Sequence, residues 1–229
     1  METTKKIMFA QQEAGIDVME LGIPFSDPVA DGPVIQAASY EAIQKGATLT
    51  KIFTLMKEVR KEGLTTPVVF MMYYNTVYHY GLEEFVEMCA DCGVDGLIIP
   101  DLPYEEQKEI NAVLAENEAA PILIQLVSPV SKQRIPMIVN NARGFVYCVS
   151  QMGVTGNGAN FHKQIREYLL EVKKNSPVPV MMGFGIRTAG DVEPLEDIID
   201  GAIVGSHFIT LMKENNYDEN VIKEYISSF

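Results

Sequence analysis

Seven short apolar runs, each trailed by an amphipathic helical pattern, constrain this chain more than any other feature of it. The runs fall at 18–21, 68–72, 96–99, 122–126, 145–149, 180–182 and 202–204. They do not alternate apolar with polar, which is the pattern of strands covered on both faces. Helical patterns occupy 3–14, 34–45, 51–61, 82–92, 105–116, 132–140, 161–174, 189–199 and 206–213, and a last one at 220–228 closes the chain. Gly15, Gly93 and Gly201 each follow a helical pattern just before a strand, where glycine suits a left-handed helix end. Repeated strand–helix alternation implies a parallel sheet, and about eight such units closing on themselves make a barrel. The expectation is an α/β chain with the (β/α)8 TIM-barrel fold, read as a single domain over 1–229 for want of a linker or composition shift. A doubly wound open sheet is the runner-up, without a G-x-G-x-x-G after the first strand to support a dinucleotide site.

Composition narrows the function. A net charge of −13 argues against nucleic acid or an anionic membrane surface as partner, though not against one small phosphate held by local N–H donors. No apolar run reaches the roughly 20 residues of a membrane-spanning helix, and the amino terminus lacks the basic-then-apolar order of a secretory signal. A cytoplasmic location follows as the expectation. Three cysteines suit a reducing compartment; Cys89 and Cys92 form a C-x2-C inside a helical pattern with no second Cys/His pair, so they read as core. His79, His162 and His207 fall in or near loops without metal-ligand spacing, and no metal is expected.

The stretch ELGIPFSDPVADGP (20–33) carries the most chemistry. Three prolines and two glycines in fourteen residues rule out a helix and a long strand. An apolar strand therefore delivers Glu20 to its end, and a stiff loop presents Asp27 and Asp31. In a barrel the strand carboxyl ends form the active face, so this is a plausible acid/base pair. Tyr73, Phe184 and Ile98 are placed near the mouth, with Ile35 entering from the loop side, as a flat apolar slot or as ordinary core. Gly183-Phe184-Gly185, Gly205-Ser206 and the glycines around Thr155 stand at late strand ends, where backbone N–H groups can approach a phosphate. Lysine is absent from every strand, against a Schiff-base aldolase. These residues alone reach acid/base chemistry on a phosphorylated aromatic or sugar substrate, and no further.

The same segments, in order, resemble the tryptophan synthase alpha subunit family: ELGIPFSDPVADGP (20–33), MYYN (72–75), IPDLP (99–103), GVTG (153–156), GFGI (183–186) and GS (205–206). The resemblance implies cleavage of indole-3-glycerol phosphate to indole and glyceraldehyde 3-phosphate, a retro-aldol reaction without a cofactor in this subunit. It assigns acid/base duty to Glu20 and the indole N–H to Asp31. It places Tyr147 near Glu20, with Tyr73, Phe184, Ile98, Ile35, Ile203, Met71 and Thr155 lining the substrate pocket. Gly156, Gly185, Gly205 and Ser206 are the implied phosphate contacts. Asp27 and Pro28 are the implied contacts to a pyridoxal-phosphate beta subunit in an alpha2-beta2 heterotetramer. Residues 151–160 are expected to be poorly ordered without ligand.

The family pattern begins with a helix and a strand before the region matching 3–14, so the expectation is an N-terminally incomplete barrel lacking its first strand. That leaves a second expectation open, a catalytically weak regulatory partner of the beta subunit. A third, another phosphate-binding barrel enzyme, is disfavoured by the missing strand-end lysine.

Overall fold

The computed structural model describes residues 1–149, 159–183 and 185–229. Its contacts divide the chain into two compact units, one of residues 1–123 with 209–229 and one of residues 124–208. The first unit runs α1 (Glu2–Glu13), β1 (Met19–Gly22), α2 (Pro33–Gln44), α3 (Leu49–Lys61), β2 (Val68–Met71), α4 (Tyr74–Tyr80), α5 (Leu82–Cys92), β3 (Gly96–Ile98), α6 (Lys108–Ala115) and β4 (Ile122–Leu123). The second holds β5 (Gln125–Val127), α7 (Ile135–Val139), β6 (Val146–Val149), α8 (Ala159–Asn175), β7 (Val180–Gly183) and β8 (Gly201–Ile203). Helix α9 (Ser206–Glu214) starts in the second unit and ends in the first, and α10 (Glu219–Ile226) closes the chain.

Each unit contains one four-stranded, wholly parallel sheet, ordered β1-β2-β3-β4 and β5-β6-β7-β8. All seven expected strands are present. The run at 122–126 is divided at Ile124: its first part pairs with β3, its second with β6.

Register sorts the side chains. In the first sheet Glu20 pairs with Val69 and Val69 with Gly96, while Gly22 pairs with Met71 and Met71 with Ile98. Since side chains alternate along a strand, Glu20, Met71 and Ile98 share one face. The other face carries Met19, Val68, Phe70 and Leu97 into an apolar core with Phe53, Met56, Val59, Phe85 and Cys89. Helix α3 supplies much of that core because Ile52, Phe53, Leu55, Met56 and Val59 fall on one stripe. Its start is capped by the Thr48 hydroxyl, which accepts from the Lys51 N–H at 3.3 Å.

The strand beginnings are tied down by the same device in both units. Asp95, just before β3, accepts from the Val68 N–H at 2.8 Å and pairs with Arg60 of α3 at 2.6 Å. Asp200, just before β8, accepts from the Val180 N–H at 2.7 Å and pairs with Lys173 of α8 at 2.5 Å. In each case the cation comes from the helix preceding the strand whose N–H is bound.

Four expectations are corrected. The pattern at 189–199 is not one helix but two 3-10 turns, Ala189–Asp191 and Glu193–Leu195. Pro194 lacks the N–H a continuous helix needs, and the Asp191 carboxylate turns back to accept from the Arg187 and Thr188 N–H groups. Helix α4 was not expected; it holds His79, which is therefore helical rather than in a loop. Gly15 and Gly93 do take positive φ, at 85° and 70°, but Gly201 does not. It lies inside β8, where a Cβ would stand 2.7 Å from the Met181 sulfur, so close packing explains it. The buried strand expected to carry Glu20 also leaves that side chain open to solvent.

Among the described residues, no helix is long and apolar enough to cross a membrane, and no group of three or more His, Cys, Asp or Glu side chains is placed to hold a metal.

Candidate active site

The carboxylates at the end of the first sheet differ from those at its start. Glu20 is the second residue of β1, two before the strand ends at Gly22, and α2 begins just after Asp31 with Gly32 as its N-cap and Pro33 at the first helical position. The loop is pinned by short backbone bonds, Val29 N–H to Asp27 O at 2.8 Å and Asp31 N–H to Pro28 O at 3.1 Å. Gln36 donates to the Asp31 backbone oxygen at 2.8 Å. Asp27 accepts from the Ser26 hydroxyl at 2.6 Å.

Loss of solvent and then the negative charge of Asp31 push the Glu20 carboxyl up to about 7. Two properties of this group pull apart: protein crowds it, yet its side chain is exposed by accessible surface. Water therefore still reaches the carboxyl. Asp31 is also raised by burial, opposed by a hydrogen bond from Tyr73. Among the described residues neither carboxylate has a lysine or arginine partner.

Tyr73 follows β2 and is 5% exposed. Its hydroxyl donates to Asp31 Oδ2 at 2.9 Å and accepts from the Ala30 N–H at 2.9 Å. The Phe25 ring stacks on it, centroids 5.2 Å apart and planes at 25°. The sequence placed Tyr73 in an apolar slot; its polar end proves the more informative part, and Phe25 was missed. Nothing in the sequence marks a bond that spans 42 positions. Ile98 is fully buried, while Met71 and Ile35 are partly exposed. Asp101, after β3, starts α4 by accepting from the Tyr74 N–H at 2.9 Å.

In the second unit, the register Tyr147–Met181–Gly201 and, two residues on, Val149–Gly183–Ile203 puts Tyr147, Gly183 and Ile203 on one sheet face. The Tyr147 ring lies over Gly183 so closely that a Cβ there would come within 2.5 Å of it. Gly185, with φ 81°, follows β7, and Gly205 precedes Ser206, the first residue of α9. Thr155, Gly156 and Phe184, and most of the segment expected to be mobile, lie outside the described residues.

In both units parallel strands alternate with helices, which places the chain in the α/β class. A family model described as tryptophan synthase alpha chain matches residues 1–228. The tryptophan synthase alpha chain of Lachnospira eligens is 74% identical over 228 residues, covering 100% of this chain and 86% of that protein. That of Shouchella clausii is 44% identical over 237 residues, covering 99% and 87%. Among solved structures, the tryptophan synthase alpha subunit from Campylobacter jejuni superposes with a TM-score of 0.87 at 30% identity, covering 99% of this chain and 89% of that one. A chain of the tryptophan synthase a2b2 complex from Pyrococcus furiosus does so with a TM-score of 0.87 at 30% identity, covering 99% and 91%. This chain belongs to the tryptophan synthase alpha chain family. Its fold class is the (β/α)8 barrel, and its role is that of the alpha-subunit lyase of tryptophan biosynthesis.

Proposed function

We propose that the chain cleaves indole-3-glycerol phosphate to indole and glyceraldehyde 3-phosphate, with Glu20 as acid/base and Asp31 as acceptor of the indole N–H. The observation that carries this reading is the pair itself: two carboxylates, one on β1 and one in the loop after it, without cationic partners among the described residues, the first pushed up to about 7 by loss of solvent and by the second. Cleavage needs a proton placed on the ring carbon that bears the side chain and one taken from the side-chain hydroxyl. A group with a pKa near the working pH can do both in turn. As the ring is protonated its nitrogen becomes positive, and an ionised Asp31 stabilises that charge most where water is scarce.

Gly185, Gly205 and Ser206, with Gly156, are read as the phosphate contacts. Glycine turns leave backbone N–H groups accessible, and Ser206 opens α9, whose amino end favours an anion. Tyr147, Tyr73, Ile98, Ile35, Met71, Ile203, Phe184 and Thr155 are read as lining the substrate pocket, with Phe184 beside the indole. The reaction calls for no cofactor in this chain; pyridoxal phosphate is read as belonging to the beta subunit. The a2b2 assembly of the P. furiosus relative supports the same pairing here, with Asp27 and Pro28 on the contacting loop. A cytoplasmic setting suits such an assembly.

Indole release from indole-3-glycerol phosphate, measured with and without beta subunit, tests the reading. Glu20→Gln and Asp31→Asn should each lower it by about 10²–10⁴-fold. Activation of the beta reaction with no indole released would favour a purely regulatory partner.

A further inference from the structure

The Tyr73 hydroxyl has one proton and two lone pairs to place. Its oxygen accepts from the Ala30 N–H at 2.9 Å, and Asp31 Oδ2 lies 2.9 Å on another side. An N–H cannot receive the phenolic proton, so that proton is directed at Asp31. The ring that carries it is buried and stacked on Phe25, which holds the donor in place.

We infer that Tyr73 is a positioning residue for the reaction: by donating to Asp31 Oδ2 it fixes that oxygen and leaves Oδ1 as the oxygen offered to the substrate N–H. This rests on the reading of Asp31 given above. Burial pushes the Tyr73 phenol itself up to about 12, so it remains a donor throughout the working range. The charged and titratable groups interacting with this pair are Glu20 from β1 and Asp101 from the loop after β3. Glu20 interacts with Asp31 and Asp101 with Tyr73; burial is what raises the Asp31 carboxyl, and the Tyr73 hydrogen bond works against it. Backbone and side chain cooperate here. The Ala30 N–H sits one residue before Asp31, so the same phenol sets both the loop and the carboxylate it carries.

Tyr73→Phe keeps the ring and its stacking partner and removes only the hydroxyl. Its expected effect is a fall in kcat of about tenfold or more with KM within threefold. The Asp31 titration, read by carbon-13 NMR of labelled aspartate and assigned with Asp31→Asn, should move to higher pH. 3-Fluorotyrosine at position 73, a stronger donor in the same shape, should move it to lower pH; this arm decides the matter should the phenylalanine variant fold poorly. An Asp31 titration unmoved by either change, with kcat of the phenylalanine variant at the parent value, overturns the inference. Retained indole release in Asp31→Asn overturns instead the role of Asp31 on which it rests.

Discussion

Carboxylates stand at both ends of these strands, and their surroundings are opposite. Asp95 and Asp200, at the beginnings, each bind a backbone N–H of the neighbouring strand and a cation from the helix that precedes that neighbouring strand. Burial tends to raise Asp200, but Lys173 and the Val180 N–H outweigh it and hold its carboxyl below the usual aspartate range. Glu20 and Asp31, at the ends, have no such cation among the described residues and are pushed upward. The beginnings of the strands use charge to hold the fold, and the ends keep charge uncompensated, where it remains available for proton transfer. The difference arises from the helices: Arg60 and Lys173 lie in the last turns of α3 and α8, where cations also suit the helix dipole.

If this contrast is correct, the largest stability loss comes from the strand beginnings. The Arg60 guanidinium donates to the carbonyls of Gly93, Leu64 and Thr66 as well as to Asp95. Arg60→Ala should cost about 3 kcal/mol, seen in urea unfolding, because several half-buried acceptors lose a charged donor together. Equal stability would mean the clamp is ornamental. Next comes Gly183→Ala, which must displace the Tyr147 ring. Overpacking of this kind costs about 2 kcal/mol, and a crystal structure of the variant should show Tyr147 turned from its parent position.

A smaller effect belongs to Asp200. Its depressed carboxyl contributes stability above the unfolded value, and that contribution disappears as pH falls through the folded value. Lys173 and Asp200 are partly exposed, 43% and 36%, so after screening the ion pair accounts for about 1 kcal/mol. Asp200→Asn should therefore be less stable than the parent at pH 7, with the gap closing in acid. A gap that is constant with pH would remove the electrostatic part of the explanation.

Much of this was legible from residues alone. The run-on apolar strands, the α3 stripe and the proline-stiffened loop with Glu20 and Asp31 all follow from local pattern. What was not legible depends on distant partners. Helix α4 has a tyrosine-rich segment of modest helical preference, and the group that starts it is Asp101, 27 positions away. Tyr73 read as apolar because its two polar contacts lie across a loop 42 and 43 positions earlier. The helix expected over 189–199 failed for a reason the sequence did display, Pro194, which outweighed its periodicity.

Glu20→Gln, followed by both turnover and thermal unfolding across pH, tests the contrast most directly. A carboxyl raised to about 7 penalises the folded state when ionised, above pH 7, and the penalty fades as pH falls toward the ordinary glutamate value. Discounted for the solvent that reaches Glu20, the penalty is on the order of 1 kcal/mol, or about 2–4 °C in Tm. The account predicts a variant that has lost indole release yet melts higher than the parent at pH 8 and level with it at pH 4. A variant that retains turnover, or that melts lower at pH 8, would contradict it.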